Sequence, residues 1–128
     1  MTNPQVVHND STPEYYFEER CHITEWWNST DDEATSIARA RVEPGITTRL
    51  HRLRGVTERY VMLEGTGRVM VDGRAPETVG PGDVVVIPPD ASQRITNTGG
   101  GDLVFLAICT PRFRPAIYED LEGGDPAA

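Results

Sequence analysis

Two segments between residues 45 and 97 decide the fold of this 128-residue chain. The first, GITTRLHRLRGVTERYVMLEG, runs from Gly45 to Gly65, and the second, GDVVVIPPDASQRITN, runs from Gly82 to Asn97. Each contains short β-prone runs that glycine or proline interrupts, a pattern typical of short strands joined by tight turns. The centre of the chain is therefore predicted to be a β-sheet structure.

Similar runs continue on both sides of this centre. The predicted strands are Cys21–Trp27, Ser36–Glu43, Thr47–Leu53, Glu58–Glu64, Arg68–Val71, Val84–Ile87, Gln93–Asn97 and Leu103–Cys109. Residues 112–121 are expected to add a short helical or irregular piece, and no segment has the pattern of a long helix. Many short strands at nearly regular spacing indicate an all-β sandwich or barrel.

The flanking regions differ in composition from the centre. Residues 1–20 are predicted to be a flexible arm, in which the aromatic residues Tyr15, Tyr16 and Phe17 need a surface to lie on, either this domain or a second copy. Residues 21–118 are predicted to form the barrel. Residues 119–128 are predicted to be an acidic, disordered tail.

Composition and charge exclude several classes of partner. The formal net charge of −8 would repel a phosphate backbone, so nucleic acid is not expected as a partner. No apolar run approaches the length of a membrane span, and the first residues lack the pattern of a secretion signal, so a cytoplasmic location without membrane contact is expected. Cys21 and Cys109 stand far apart and are predicted to be reduced thiols.

The two central segments resemble the two signature motifs of the cupin superfamily, whose members are small double-sheet jelly-roll barrels. In the first motif, Gly45, His51, Glu58 and Gly65 match, while Leu53 stands where a second histidine belongs. In the second motif, Gly82, Pro88 and Asn97 match, while Asp90 replaces a glycine and Gln93 replaces a histidine. The resemblance implies an all-β jelly-roll barrel, the double-stranded β-helix of the cupins.

The resemblance also implies a metal site with fewer ligands than usual. In metal-binding cupins, the histidines and the glutamate of these motifs hold one divalent ion inside the barrel. Here His51, Glu58 and Gln93 remain as candidate ligands for Fe, Mn, Ni or Zn, and the amide oxygen of Gln93 is a weaker ligand than imidazole. The alternative is a neutral, buried His51 that is hydrogen-bonded to Glu58 without a metal.

A second chemistry needs no metal. If His51 contacts Glu58, the carboxylate would orient the imidazole and raise its pKa, which suits a general base. Tyr60 lies two residues after Glu58, so both side chains point to the same face of the predicted strand, and Tyr60 is the candidate proton donor. Cupin epimerases similarly hold anionic substrates with arginines, and parity alone makes Arg39, Arg41, Arg49 and Arg94 candidates together with Gln93, although Arg39 and Arg41 could equally face solvent.

These observations lead to three functional hypotheses. The first is a small-molecule-binding cupin that acts as a metal-dependent, isomerase-like or dioxygenase-like enzyme on a carbohydrate or small organic acid. The second is a non-catalytic sensing module with a decayed metal site, and the third is a metal-free His/Glu isomerase or epimerase. A homodimer is expected, because a second copy would bury the aromatic residues of the arm and the apolar side chains of Val61 and Leu63, which are predicted to point outward.

Overall fold

A computed structural model describes residues 3–122 of the chain. Within this range the chain forms eleven strands: β1 (Tyr15–Phe17), β2 (Cys21–Trp27), β3 (Ser36–Val42), β4 (His51–Leu53), β5 (Thr57–Glu64), β6 (Gly67–Val71), β7 (Glu77–Val79), β8 (Val84–Ile87), β9 (Gln93–Asn97), β10 (Leu103–Thr110) and β11 (Tyr118–Asp120). A single 3₁₀ turn, Pro115–Ile117, precedes β11 in this described part.

The strands form two antiparallel sheets that face each other. One sheet has the order β1-β2-β3-β10-β5-β8, and the other has the order β11-β4-β9-β6-β7. Consecutive strands pair in β1-β2-β3 and β6-β7, while other neighbours come from distant parts of the sequence, as in the pairing of β10 with both β3 and β5. This is the jelly-roll architecture that the motif resemblance implied, and the all-β prediction is confirmed.

Most predicted strands are present, but the ends of the chain add structure that the sequence pattern did not predict. Tyr15–Phe17, assigned to the arm, forms β1 and pairs with β2 of the same chain. Tyr118–Asp120 forms β11 and pairs with β4, so the predicted boundary between barrel and tail at residue 118 falls inside a strand. Residues 123–128 of the predicted tail lie outside the described residues.

Two internal elements also differ from the prediction. The predicted strand Thr47–Leu53 contains regular pairing only over His51–Leu53, and Thr47 makes an isolated bridge to Thr96. The short strand Glu77–Val79 was not predicted, because ETV is too short to show an alternating pattern.

The core lies between the two sheets, where alternate residues of each strand point inward. Its largest fully buried apolar side chains are Tyr60, Phe105, Met62, Ile87, Ile95 and Leu103. The same alternation points the polar side chains of His51, Glu58, Gln93 and Asn97 inward, and all four are buried. The strand pattern that builds the core therefore also places polar groups within it.

Two turn positions explain how the motifs fix the chain path. Gly65 has a φ of +83°, and a Cβ atom there would lie 2.6 Å from the carbonyl oxygen of Asp102. Asp90, which stands where the family motif has glycine, has a φ of +68°. Aspartate tolerates this left-handed conformation better than most residues, and its Oδ1 accepts a hydrogen bond of 3.0 Å from the Gly55 N–H.

The outer surface carries an apolar area on the six-stranded sheet. Leu63 on β5 and Val84 and Val86 on β8 are exposed, with 40%, 58% and 60% of their surface accessible. The homodimer stays a prediction, for which this face is the natural contact area. In the part of the chain that the structure describes, no helix has the length and apolar character needed to cross a membrane.

We expect Gly65→Ala to lower the free energy of unfolding by about 3 kcal/mol, because the new methyl group combines a strained φ with a backbone clash. The matched control is Gly73→Ala, where φ is +71° but no atom lies within 4 Å of the new Cβ. This control should cost only about 1 kcal/mol. Urea unfolding of both variants checks the difference, and equal losses would contradict the close approach of Gly65 to Asp102.

Candidate functional site

The barrel interior brings together the polar residues that the motifs predicted. His51 begins β4 and stands directly opposite Gln93 of β9 in the register of the five-stranded sheet. Glu58 and Tyr60 point inward from β5 in the other sheet, since residues two apart on a strand share a face. All four side chains are buried, at 8% exposure or less.

The imidazole of His51 is held in one orientation. Its Nδ1 lies 2.7 Å from the carbonyl oxygen of Arg49, so Nδ1 carries the hydrogen and Nε2 keeps its lone pair. The ring stacks on Tyr118 of β11, with centroids 5.0 Å apart and planes 19° from parallel. Burial lowers the pKa of His51, and the carbonyl of Arg49 and the charge of Glu58 oppose this only in part. Glu58 raises the pKa of His51, as expected, but desolvation of the ring outweighs this contribution and the net shift is downward.

Glu19, a residue that sequence reasoning assigned to the arm, completes the site. It lies in the turn between β1 and β2, and its Oε2 is 3.5 Å from Nε2 of His51. Its Oε1 accepts a long hydrogen bond of 3.7 Å from the Cys21 thiol. Burial raises the pKa of Glu19 to about 7, although the Cys21 thiol opposes the shift.

The turn that carries Glu19 is anchored on both sides. The N–H of Arg49 donates a hydrogen bond of 3.0 Å to the Glu19 carbonyl. The next residue, Arg20, has a φ of +73°, and its guanidinium binds the Thr47 carbonyl and the Glu122 carboxylate. A left-handed conformation at a residue other than glycine costs about 1–3 kcal/mol and is often found at functional sites. No motif marked Glu19, because only the folded chain brings residue 19 close to residue 51.

Glu58 has one occupied and one free oxygen. Its Oε2 accepts a long hydrogen bond of 3.9 Å from the Cys109 thiol. Its Oε1 is buried and makes no well-formed hydrogen bond among the described residues, although the Gln93 amide lies close enough for a weak one. Burial, followed by the charge of Glu19, raises the pKa of Glu58 to about 7, while the charge of His51 and hydrogen bonds from the Gln93 amide and the Cys109 thiol lower it. An unpaired buried oxygen of this kind requires an explanation, and a bound ligand is one.

Gln93 and Tyr60 pair with each other. The Tyr60 hydroxyl donates a hydrogen bond to Oε1 of Gln93, and burial raises the pKa of Tyr60 well above its ordinary value. Nε2 of Gln93 is buried without a hydrogen-bond partner among residues 3–122. The roles of Tyr60 as proton donor and of Gln93 as ligand or substrate contact stay predictions.

The side chains do not fit a divalent metal in the arrangement seen here. In the described range, no three His, Cys, Asp or Glu side chains are grouped so that they could hold an ion. Leu53, in place of the second motif histidine, is buried in a small apolar cluster with Val56, Cys109 and Ile117. The amide oxygen of Gln93, the atom that could ligate, already accepts the Tyr60 hydrogen. The family often binds a divalent metal, and the predicted set His51, Glu58 and Gln93 stays a prediction.

The structure does not bring the predicted arginine anchors to the site. Arg39 and Arg41 lie on the outer face of β3 and pair with Glu14 at 3.6 and 2.8 Å. Arg49 pairs with Asp120 at 2.9 Å. Arg94 lies on the outer side of the five-stranded sheet, and its guanidinium donates a long hydrogen bond of 3.9 Å to the Met70 sulfur. Their proposed contacts with a substrate stay predictions that need another conformation.

A cavity of about 70 Å³ opens beside these residues. This is room for several water molecules or for part of a small organic compound. Its polar lining includes His51, Glu19, Glu58 and Tyr60, and its apolar lining includes the side chains of Leu53, Phe17, Trp27, Phe105 and Phe113. Gln93 does not line it. The geometry therefore joins two carboxyl groups and one neutral imidazole to a largely apolar space.

Comparison with known proteins supports the same architecture. A family model described as "Cupin domain" matches residues 38–109, more than half of the chain. An uncharacterized protein of Methanocaldococcus jannaschii is 37% identical over 87 residues, which are 68% of this chain and 66% of that protein. An oxalate-binding protein of Thermotoga maritima is 36% identical over 77 residues, which are 60% of this chain and 63% of that protein. The chain thus matches slightly less than two thirds of the length of either relative.

A solved structure agrees over a longer range. The crystal structure of a predicted oxalate decarboxylase of Thermotoga maritima superposes with a TM-score of 0.75 and 25% identity. The match covers 84% of this chain and 99% of that one. The two Thermotoga maritima matches are thus described as a binding protein in one case and as a predicted enzyme in the other.

The raised pKa values of Glu19 and Glu58 predict how stability depends on pH. Because both folded pKa values exceed the ordinary value of 4.5, the folded state binds protons more tightly, and stability should fall as pH rises from about 4.5 to about 7. The free energy of unfolding should therefore decrease less over this pH range in Glu58→Gln and in Glu19→Gln, by at least about 1 kcal/mol in each variant. Chemical unfolding at several pH values between 4.5 and 8 measures the slope.

The control for this pH dependence is Glu119→Gln. This residue pairs with Arg52 and Arg54 on the surface, and these pairs lower its pKa. Its titration therefore changes the stability only at pH values below the window in which the interior carboxyl groups titrate. Its substitution should leave the slope above pH 4.5 unchanged. Because the lowered pKa of His51 adds an opposite slope below about pH 6.5, the test is the change of slope on substitution. A slope that neither Glu58→Gln nor Glu19→Gln alters would show that these carboxyl groups do not titrate in this window.

Proposed function

The chain belongs to the cupin family, and from the chemistry of its barrel interior we propose that it is a small-molecule enzyme that moves protons with Glu58, Glu19 and His51. The observation that carries this proposal is the buried Glu58 carboxyl group beside the cavity, whose Oε1 makes no well-formed hydrogen bond among the described residues. General acid–base catalysis is most effective when the pKa of the group lies near the working pH. A carboxyl group with a pKa of about 7 satisfies this condition.

The protonation state of each residue at neutral pH determines whether it donates a proton, accepts one or stabilises a charge. At neutral pH, Glu58 exists as a mixture of carboxylate and carboxylic acid, so its Oε1 can take a proton from a bound compound or return one. His51 is neutral, with its lone pair on Nε2, and accepts a proton at that atom. Glu19, 3.5 Å from this nitrogen, stabilises the imidazolium that results. Removal of a proton beside a carbonyl group and its return to another atom of the same compound constitute an isomerisation. If the proton is instead delivered to a β-hydroxyl group whose C–O bond breaks as a C=C bond forms, water is eliminated.

No step is routed through a metal, because no three His, Cys, Asp or Glu side chains within residues 3–122 are grouped to hold an ion, and Oε1 of Gln93 accepts the Tyr60 hydrogen. The first sequence hypothesis, a metal-dependent enzyme, requires Gln93 to release Tyr60 and turn its oxygen toward His51. The third hypothesis, a metal-free isomerase, requires no change in the positions of the His51 and Glu58 side chains. It is therefore the reading that the geometry supports best, with Glu19 added to the predicted pair.

A non-catalytic binding module is the second candidate. It is favoured by the name of one relative, an oxalate-binding protein, with which this chain shares 36% identity. Binding of oxalate itself would need cations or a metal beside the carboxylates, and no arginine lines the cavity within residues 3–122. The binding module is distinguished from the enzyme by the absence of turnover.

Proton transfer can be measured without knowledge of the natural substrate. Neutral aldoses, ketoses and small α-hydroxy ketones are incubated with the protein in D₂O, and NMR follows the loss of the C–H signal beside the carbonyl group. We expect exchange with at least one of these probes and a decrease of about 100-fold or more in Glu58→Gln. His51→Gln should decrease it comparably, while the exposed Glu77→Gln serves as control and should not. Exchange that persists in Glu58→Gln would contradict the assignment, and ligand binding without any exchange would favour the binding module.

The metal-independent character of this chemistry is a separate prediction. Protein treated with a chelator should keep its full exchange rate, because Glu58 and His51 act directly on the bound compound. Calorimetric titration with Mn²⁺, Fe²⁺, Ni²⁺ or Zn²⁺ should show no stoichiometric tight site that is lost in His51→Ala. Activity that disappears with the chelator and returns with one of these ions would restore the metal hypothesis.

A further inference from the structure

The charged side chains of this protein are segregated between its interior and its surface. All twelve basic residues are arginines. Seven of them form ion pairs with surface carboxylates within the described range, namely Arg20, Arg39, Arg41, Arg49, Arg52, Arg54 and Arg112. None of the twelve lines the barrel cavity.

The cavity, by contrast, is lined by acidic groups. Glu19 and Glu58 line its interior, and Glu25, which is exposed, lines its rim. His51 is the one lining residue that could carry a positive charge, and burial keeps it neutral. An anion that entered would lose its hydration without gaining a cation, and it would lie beside carboxylates at distances where like charges repel by several kcal/mol.

The remaining lining favours an apolar, planar group. This lining contains the aromatic side chains of Phe17, Phe105 and Phe113 and the indole of Trp27, beside aliphatic side chains such as Leu53. Aromatic side chains of this kind contact rings through stacked or edge-on arrangements. The carboxyl groups of Glu19 and Glu58 can each exchange hydrogen bonds with an uncharged amide, hydroxyl or carbonyl group, as donor when protonated and as acceptor when ionised.

We propose that the barrel cavity selects uncharged ligands, small compounds with a ring or apolar body and a hydroxyl, carbonyl or amide group, and that it excludes carboxylates and phosphates. The inference rests on the cavity being the ligand site of the proposed function, and it names the substrate class of that site. It also argues against the small organic acids that the sequence pattern left open as substrates. The selection comes from the lining charges and not from the shape of the cavity.

Pairs of probes that differ only in charge test this selection. Benzamide and benzoate have nearly the same shape, and propionamide and propionate form a smaller pair for the same cavity. Binding is measured at pH 7.5 by changes in the NMR signals of the protein, without any requirement for turnover. We expect at least one amide to bind, with an affinity at least about tenfold higher than that of its carboxylate partner. Equal or tighter binding of the carboxylate would overturn the inference, as would binding of neither pair.

Substitution identifies the charges that are responsible. Glu58→Gln and Glu19→Gln each remove one interior carboxyl group and should raise the affinity for the carboxylate probe about tenfold, with the affinity for the amide changed less than about threefold. Glu77→Gln changes the net charge equally but lies on the exposed surface of β7, outside the cavity lining. It should leave both affinities unchanged. An increase in carboxylate binding by Glu77→Gln of the same size would show that net charge, and not the lining, causes the selection.

The two proposals fail independently. If amides are preferred but no probe exchanges deuterium, the selection of uncharged ligands is supported and the proton-transfer function is contradicted. If deuterium exchange depends on Glu58 while carboxylates bind as well as amides, proton transfer is supported and the selection of uncharged ligands is contradicted.

Discussion

Two carboxyl groups share one barrel interior without a cation beside them, Glu58 buried and the Glu19 side chain 14% exposed, and the properties of the site depend on this constraint. Taking Glu58 and Glu19 out of water is the largest cause of their raised pKa values, and the same dry surroundings lower the pKa of His51. The interior thus holds groups near the midpoint of their titration, a condition that proton transfer requires and that an isolated surface carboxylate cannot meet.

The ends of the chain build much of this environment. The turn after β1 carries Glu19 to His51, and β11 places Tyr118 against the face of the same imidazole. Phe17 of β1 packs edge-on against Tyr118, with ring centroids 5.4 Å apart, so the two terminal strands meet over the site. Arginine–carboxylate pairs of Arg49 with Asp120 and of Arg20 with Glu122 hold the last segment in place. Such partly exposed pairs each contribute little, but several of them act on one short strand.

The departures from the family motifs have local structural explanations. Leu53 fills an apolar cluster where a metal ligand would otherwise stand, and Gln93 accepts the hydrogen of Tyr60. Asp90 adopts the left-handed backbone that the motif glycine supplies and binds the N–H of Gly55 with its carboxylate. These three replacements keep the path of the chain and the packing of the barrel while they change the chemistry of its interior. Conservation of a fold with a changed site is common among small barrels.

The sequence by itself determined the all-β architecture, most of the strands, and the inward position of His51, Glu58, Tyr60 and Gln93. It could do so because alternation and turn residues are local properties, and the motif spacing places particular side chains on the same face of a strand. Only the tertiary structure decided that Glu19 joins the site, that the arginines face outward, and that the pKa of His51 falls. These outcomes depend on contacts between residues far apart in the chain, and on how much water the folded barrel excludes, neither of which a local pattern of residues records.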